Sequence, residues 1–134
     1  MDMDNQIYCS LDIETTGFDP LKEEILEVGF VFFKLGKKKI ELLEEWTQVF
    51  KPGKAVTPQI LALTGITEKE IERAPKFSEH RDFIQKKLGD AIIVGHNITF
   101  DTKFLEGFGI KFSGPTIDTL DLAQWLLPTH HSYN

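Results

Sequence analysis

The first part of the chain contains three runs in which apolar and polar positions alternate, and each run predicts a β-strand. The runs cover residues 7–14, 25–34 and 40–50. In the second run, one face would carry Val28, Phe30 and Phe32, since successive side chains of a strand point to opposite sides. The third run follows a short turn at Gly36, which predicts antiparallel pairing with the second run.

Capping residues and helical spacing mark the next part of the chain. Thr57, which is followed by a proline, predicts the start of a short helix that runs through Leu63. Thr67 begins a capping-box pattern for a second short helix. Ser78 is predicted to cap a longer helix that ends at Gly89. The apolar stripe of this longer helix consists of Phe83, Ile84 and Leu88.

The last part of the chain alternates predicted strands with predicted helices. Residues 91–94 form a wholly apolar run, which favours a parallel strand that is buried on both faces. A helix over 100–108, a strand over 116–118 and a helix over 120–127 follow, and Pro128 would close the last helix. Three antiparallel strands followed by this alternation predict an α/β fold, with a mixed sheet flanked by helices.

Length and composition favour one globular domain over residues 1–134. Hydrophobic residues make up 41% of the chain, and a chain of this length buries a core without help from disulfides or metals. Cys9 is the only cysteine, which excludes an internal disulfide. Its place on the core side of the first strand favours a buried, unreactive thiol.

The sequence contains no signal for a membrane or for secretion. No run approaches the about 20 apolar residues that a membrane helix needs. The first five residues are acidic, whereas a secretory signal begins with a basic segment. We therefore expect no membrane association and a cytoplasmic location.

The formal net charge of the chain is −6, although proteins that bind along phosphates ordinarily carry an excess of Lys and Arg. This acidity argues against tight non-specific binding to nucleic acid, but it is compatible with an enzyme that holds only a few terminal nucleotides. The one basic cluster spans residues 34–39. A solvated hairpin tip is the favoured interpretation of this cluster, and a loop that contacts phosphates is the alternative.

Asp12 and Glu14 are the strongest candidates for chemistry. They lie two positions apart on the first strand, so their side chains share one face, while Leu11 and Ile13 point to the other. Two carboxylates held this close repel each other, and either a shared proton or a divalent cation such as Mg²⁺ or Mn²⁺ relieves the repulsion. Two solvated acids on an exposed edge are the alternative interpretation.

Three further features accompany this acid pair. Gly17 ends the run S-L-D-I-E-T-T-G, where a turn would let the backbone approach a ligand closely. A further acid, Asp101, ends the run G-H-N-I-T-F-D, which follows the apolar strand predicted at 91–94. The run L-A-L-T-G-I-T lies between them, at residues 61–67.

These three segments, in this order, resemble the DEDD superfamily of 3′-to-5′ exonucleases, and specifically its epsilon-type proofreading branch (DEDDh, DnaQ-like). The resemblance implies a ribonuclease H-like fold and hydrolysis of phosphodiester bonds with two metal ions, Mg²⁺ or Mn²⁺. On this resemblance Asp12 would bridge both ions, Glu14 would complete the shell of the first, and Asp101 would hold the second. Capping of a helix is the alternative role for Asp101.

The resemblance also implies contacts with the terminal nucleotides. The substrate-binding residues would be Thr15, Thr16, Leu63, Thr64, His96, Asn97 and Phe100. Capping of turns or helices and packing in the core are the alternative roles of these side chains. Asp118 matches an acid that recurs in relatives without binding metal, and we interpret it as a structural acid behind the ligands.

The family pattern includes a fourth Asp and a His five positions before it, and no such pair follows Asp118 in this sequence. We therefore expect a single exonuclease-like domain that is incomplete at its C-terminal end and lacks the last helices of the fold. The leading hypothesis is an exonuclease that trims the 3′ ends of single-stranded or frayed DNA to nucleoside monophosphates, in proofreading or repair, with a polymerase subunit as its candidate partner. The rivals are a catalytically incomplete module that binds nucleic-acid ends or a polymerase, and an exoribonuclease that trims RNA.

Overall fold

A computed structural model describes residues 6–126 of the chain. It contains a five-stranded sheet with the spatial order β3-β2-β1-β4-β5. The strands are β1 (Ile7–Thr15), β2 (Ile25–Leu35), β3 (Ile40–Val49), β4 (Ile92–Gly95) and β5 (Thr116–Asp118). β2 pairs antiparallel with β1 and with β3, whereas β4 pairs parallel with β1 and with β5. The mixed sheet that the sequence predicts is therefore confirmed, and β1 lies at its centre.

Five α-helices accompany the sheet within residues 6–126. The helices are α1 (Pro58–Thr64), α2 (Glu68–Arg73), α3 (Arg81–Leu88), α4 (Ile98–Gly107) and α5 (Thr119–Leu126). The longest of them, α4, has 10 residues. None of these helices is long and apolar enough to cross a membrane.

Local hydrogen bonds explain where the first helices begin and where the hairpin turns. The side chain of Thr57 accepts a hydrogen bond from a backbone N–H in the first turn of α1. Thr67 and Glu70 form a capping box at the start of α2. The backbone N–H of Gly36 donates to the carbonyl of Lys39 at 2.8 Å between β2 and β3. All three features confirm the predictions from the sequence.

The start of α3 differs from the prediction. Ser78 does not cap this helix, because it lies within a 3₁₀ turn over Phe77–Glu79. α3 begins three residues later, at Arg81, and His80 occupies its N-cap position. The 3₁₀ turn buries the ring of Phe77 in the core, and this tertiary contact outweighs the local capping preference of serine.

The predicted apolar stripe of α3 is buried in part. Ile84 and Leu88 are fully buried, whereas Phe83 is 36% exposed. The ring of Phe83 lies at the margin of the core, with its centre 4.9 Å from that of Trp46 and 6.3 Å from that of Phe30. Phe83 therefore contributes to an aromatic cluster with β2 and β3.

Burial of β4 also differs from the prediction. Ile93 is fully buried, but Ile92 and Val94 are only half-buried. The expectation of burial on both faces is therefore wrong for the second face, because this face is continuous with the polar side of β1.

The bounds of the last helices were predicted only in part. α4 begins at Ile98, two residues before the predicted start. Pro128, which was predicted to close the last helix, lies outside the described residues.

The core includes the apolar face of β1 together with residues of α3 and α4. From β1 it takes Cys9, Leu11 and Ile13. Burial, with a smaller effect of the negative charge of Glu44, raises the pKa of the Cys9 thiol to about 12. The prediction of a buried thiol is confirmed, and the opposite face of β1 is left to carry polar side chains.

Candidate active site

β1 presents two carboxylates on the face opposite the core. Leu11 and Ile13 are 3% and 6% exposed, whereas Asp12 is exposed and Glu14 is half-buried. The alternation of the strand therefore separates the apolar from the acidic side chains, as the sequence predicts.

Asp101 reaches the same strand from α4. It lies in the first turn of that helix and is only 6% exposed. Its Oδ2 accepts a hydrogen bond from the backbone N–H of Ile13 at 3.1 Å. β4 pairs with β1 only as far as Ser10, so this N–H lies beyond the end of the ladder and Asp101 satisfies it. Asp101 is thereby held against the residue that separates Asp12 from Glu14.

The pKa values show that these acids interact. Burial, followed by the negative charge of Asp12, raises the pKa of Asp101 from 3.8 to about 7, although the hydrogen bond from Ile13 lowers it. Burial also raises the pKa of Glu14, and the charge of Asp12 adds to that shift. The charge of Asp12 thus repels those of Glu14 and Asp101, and a bound cation or a shared proton relieves this repulsion.

Glu27 on β2 is a further member of this acidic group, which the sequence analysis missed. It lies directly opposite Glu14 in the register of β1 and β2. Burial, followed by the charges of Asp12 and Glu70, raises its pKa. The alternation of β2, in which Glu27 shares a face with Gly29, is the feature of the sequence from which the orientation of Glu27 could have been predicted. The pairing register that brings it to Glu14 is not visible in one strand alone.

The donor atoms of this group suit Mg²⁺ or Mn²⁺, because both ions prefer carboxylate oxygens. In the conformation described for residues 6–126, however, no three side chains of His, Cys, Asp or Glu are placed to hold one ion together. Asp12, Glu14 and Asp101 are therefore candidate ligands by their chemistry and by their mutual repulsion.

Thr15 and Thr16 turn the chain away from β1. The backbone N–H of Thr16 donates to the carbonyl of Glu24, and its hydroxyl accepts from the N–H of Glu24, both at 2.9 Å. The hydroxyl also donates to Oε2 of Glu23 at 2.5 Å. In this structure these groups of Thr16 close the turn, and its contact with substrate stays a prediction. The hydroxyl of Thr15 donates to the carbonyl of Gly17 at 2.6 Å.

Asp118, at the end of β5, organises the turn that leads into α4. Its Oδ1 accepts hydrogen bonds from the N–H of Asn97 and from the first turn of α5, each at 2.9 Å. Asn97 has a positive φ of 56°, a conformation that Asn adopts more readily than most residues. The side chains of His96 and Asn97 are exposed, and Nδ1 of His96 lies 3.2 Å from the hydroxyl of Thr119.

The two predicted substrate residues of α1 differ in their surroundings. Leu63 is 74% exposed. Thr64 is half-buried, and its hydroxyl donates to the carbonyl of Ile60 at 2.8 Å and accepts from the N–H of Ile66 at 3.3 Å. Leu63 therefore has the more open side chain of the two, and the contact of Thr64 with substrate stays a prediction.

An exposed aromatic side chain in the loop after β1 was also missed. Phe18 follows the turn after β1 and is 83% exposed. Its ring centre lies 6.4 Å from that of Phe100, which is half-buried and directly precedes Asp101. Leu21, in the same loop, is 94% exposed. These two residues could have been identified from the sequence, because large apolar residues are normally buried and these lie in a short loop of turn-forming residues.

Residues 9–131 match the model of the exonuclease family RNase_T. The chain is 36% identical over 125 residues to a PolC-type DNA polymerase III of Thermotoga maritima, an alignment that covers 90% of this chain and 9% of that protein. It is 31% identical over 131 residues to the 3′-5′ exonuclease DinG of Staphylococcus epidermidis, which covers 94% of this chain and 14% of that protein. The chain therefore belongs to the exonuclease family, and its resemblance to the DEDD superfamily of 3′-to-5′ exonucleases is confirmed. It spans only a small part of the length of these relatives.

Solved structures show the same fold. Exonuclease X in complex with 5′ overhanging duplex DNA has a TM-score of 0.66 and 26% identity, over 90% of this chain and 64% of that one. Product-bound exonuclease I has a TM-score of 0.74 and 17% identity, over 96% of this chain and 34% of that one. The second likeness supports the fold alone. The predicted ribonuclease H-like architecture is thereby confirmed.

Proposed function

We propose that this domain is a metal-dependent exonuclease that hydrolyses phosphodiester bonds at the 3′ ends of nucleic acid. The observation that carries the proposal is the position of Asp101, which is buried and hydrogen-bonded to the strand residue between Asp12 and Glu14. Membership of the exonuclease family supports the same activity.

Asp12, Glu14 and Asp101 would hold the metal in this proposal. Two divalent ions, Mg²⁺ or Mn²⁺, supply a hydroxide nucleophile near neutral pH and stabilise the leaving 3′ oxygen when they are bound. The chain itself orients the carboxylates and keeps them close. Because the pKa values of Glu14 and Asp101 are raised, a proton competes with the ions for these groups as the pH falls.

Single-stranded or frayed DNA is the substrate that we favour, with nucleoside monophosphates as products. Phe18 and Leu63 are exposed, and contact between an apolar or aromatic side chain and a terminal base does not depend on the identity of that base. Such contacts suit an enzyme that removes every nucleotide in turn. The other proposed contacts are Thr15, Thr16, Thr64, His96, Asn97 and Phe100.

A polymerase is the partner that we propose, with proofreading as the role. The similarity to PolC-type DNA polymerase III supports this assignment. Repair or end trimming is the second possibility for the role, because the relative from Staphylococcus epidermidis is named as an exonuclease and not as a polymerase. The cytoplasmic location expected from the sequence stays a prediction.

A module that binds nucleic-acid ends without cutting them is the second candidate function. It is favoured by one observation, because the carboxylates of residues 6–126 do not form a group of three around one point. The leading proposal additionally requires a His as general base and a fourth Asp. Removal of such a group from a metal-dependent enzyme costs orders of magnitude in rate.

Digestion of a 5′-labelled single strand by the naturally expressed protein tests the proposal. We expect stepwise shortening from the 3′ end in Mg²⁺ or Mn²⁺, and none in EDTA. Asp12→Asn should lower the rate by about a hundredfold or more, whereas the control Asp82→Asn, an exposed acid on α3, should not. Full digestion by Asp12→Asn would show that the metal site is misassigned.

Two further arms of this experiment separate the alternatives. Binding of the strand without digestion by the wild-type protein would support the non-cutting module. Equal or faster digestion of RNA of the same sequence would favour an exoribonuclease over a DNA-trimming enzyme.

A further inference from the structure

A cavity of about 340 Å³ opens where the start of β2 meets the segments that follow β3 and α2. Its volume falls at the lower end of the about 300–1,000 Å³ that is typical of ligand sites. We call it the basic pocket, defined by Glu24, Lys51, Lys76, Phe77, Arg81 and Phe108. It is separate from the acidic group on β1, whose residues do not line it.

The walls of the basic pocket are held by the core. The backbone N–H of Lys51 donates to the carbonyl of Pro75 at 2.8 Å, which ties the end of β3 to the segment before α3. The ring of Phe77 is 7% exposed, and its centre lies 5.3 Å from that of Phe50 and 5.5 Å from that of Phe108. The pocket therefore has a fixed apolar floor.

The charges at this pocket are opposite in sign to the charge of the whole chain. Lys51, Lys76 and Arg81 are exposed at its rim. Neither of the two salt bridges found among residues 6–126 involves any of these three cations. Glu24 is the one acid of the lining, and both of its carboxylate oxygens accept from the N–H of Gly53 at 3.0 Å. Three cations and one carboxylate thus line this pocket, in a protein whose net charge is −6.

The basic pocket lies at the start of β2, where this strand pairs with the last residue of β1. Ile25 lines the pocket and is the register partner of Thr15, the residue after Glu14. The N–H of Glu24 donates to the hydroxyl of Thr16 at 2.9 Å. The two sites therefore share the ends of β1 and β2.

We propose that the basic pocket binds a phosphate-bearing nucleotide of the nucleic-acid chain, upstream of the 3′ end that is cut. Lys and Arg neutralise backbone phosphates, and an aromatic floor accepts the sugar and base of any nucleotide. Such a contact would explain how an acidic protein holds a polyanion. The choice of nucleic acid as the ligand rests on the proposed function, whereas the anion site itself rests on the pocket.

Fluorescence anisotropy with a labelled single strand in EDTA tests the pocket without any cleavage. The test variant combines Lys51→Gln, Lys76→Gln and Arg81→Gln. The matched control combines Lys37→Gln, Lys38→Gln and Lys39→Gln, which remove the same charge at the hairpin tip, the opposite end of β2 and β3. A second variant, with Lys51→Arg, Lys76→Arg and Arg81→Lys, keeps the pocket charge, and melting curves show that each variant is folded.

We expect the Kd of the pocket variant to rise about tenfold, and the slope of log Kd against log salt to fall by roughly 0.7 for each lost phosphate contact. The charge-keeping variant should retain most of the affinity, and the loss should be much smaller for a dinucleotide. Equal losses in the pocket and hairpin variants would overturn the proposal. So would binding of a free mononucleotide to the pocket with no change in affinity for the strand.

This readout separates failure of the inference from failure of the proposed function. If the wild-type protein digests the strand and the pocket variant binds as tightly as wild type, the inference is wrong and the exonuclease proposal stands. If the wild-type protein binds the strand through the pocket and digests nothing, the inference stands and the exonuclease proposal is wrong.

Discussion

Asp101 and Ile13 are joined by a hydrogen bond of 3.1 Å, although 88 positions separate them in the sequence. The bond runs from the backbone N–H of β1 to a carboxylate in the first turn of α4. It fixes the helix against the strand at the point between Asp12 and Glu14. Two opposed effects therefore act on the protonation state of Asp101. Burial favours its neutral form, whereas metal binding requires its charged form.

Asp101→Asn should separate the effect of burial from the effect of metal binding. The amide oxygen can still accept from Ile13, but the charge is lost. In the wild-type protein the raised pKa means that the contribution of Asp101 to stability is full below its ordinary pKa of 3.8 and is lost as the pH rises through about 7. Without metal, the variant should therefore be more stable than wild type at about pH 8, and the difference should shrink towards about pH 4.

Urea unfolding in EDTA across this pH range measures that difference. Addition of Mg²⁺ should then stabilise the wild-type protein more than Asp101→Asn at the upper end of the range, because only the wild type offers a carboxylate at this position. A stability difference that does not vary with pH would contradict the raised pKa. Equal stabilisation of both proteins by Mg²⁺ would remove Asp101 from the ligand set.

Thr16→Val should destabilise the turn after β1. Valine has a similar shape but leaves the partly buried N–H of Glu24 without its acceptor, and loss of one such hydrogen bond costs about 1 kcal/mol of the free energy of unfolding. Thr16→Ser keeps the hydroxyl and should lose much less. Urea denaturation of the two variants compares them directly. If both were as stable as wild type, the assignment of Thr16 to the turn would be wrong.

The acid pair on β1 was predictable because it depends on one local rule. Asp12 and Glu14 share a face since a strand has a period of two, and Leu11 and Ile13 must then face the core. The capping box at Thr67 is local in the same way. Each of these features is set by residues within a few positions of one another.

Features that depend on contacts between distant segments were missed or misread. The proximity of Glu27 to Glu14 needs the register of β1 and β2, and the bonding of Thr16 needs the loop to return as far as Glu24. Ser78 was a good local cap, but burial of the neighbouring Phe77 placed it in a 3₁₀ turn. In these cases tertiary contacts decide among local conformations that the sequence permits.

The thiol of Cys9 should react slowly in the folded protein. It is fully buried, and burial raises its pKa from 9.0 to about 12, so little thiolate forms near pH 8 and reagents have no access. The rate of alkylation by iodoacetamide, measured with and without urea, checks this expectation. Because the chain has a single cysteine, the rate reports on this site alone, and equal rates in both conditions would contradict the burial.

The same shift predicts how Cys9 affects stability at alkaline pH. Its pKa is higher in the folded than in the unfolded protein, so its contribution to stability is full below about pH 9 and falls as the pH rises towards about 12. Cys9→Ala should weaken this alkaline dependence. If the wild-type protein and the variant lose stability in parallel above about pH 9, groups other than Cys9 cause the loss of stability at alkaline pH.

Phe18→Ala should weaken binding of the 3′ end without disturbing the fold. The ring is 83% exposed and beside Phe100, so its removal leaves no cavity, whereas loss of one aromatic–base contact costs about 1–3 kcal/mol. We expect KM for single-stranded DNA to rise about tenfold, with kcat little changed and with Phe18→Trp close to wild type. Leu42→Ala removes another large exposed side chain, on β3, and serves as the control. A KM for Phe18→Ala that equals that of Leu42→Ala would show that the terminal base is held elsewhere, because each variant removes a large exposed side chain but only Phe18 lies beside Phe100, the residue before Asp101.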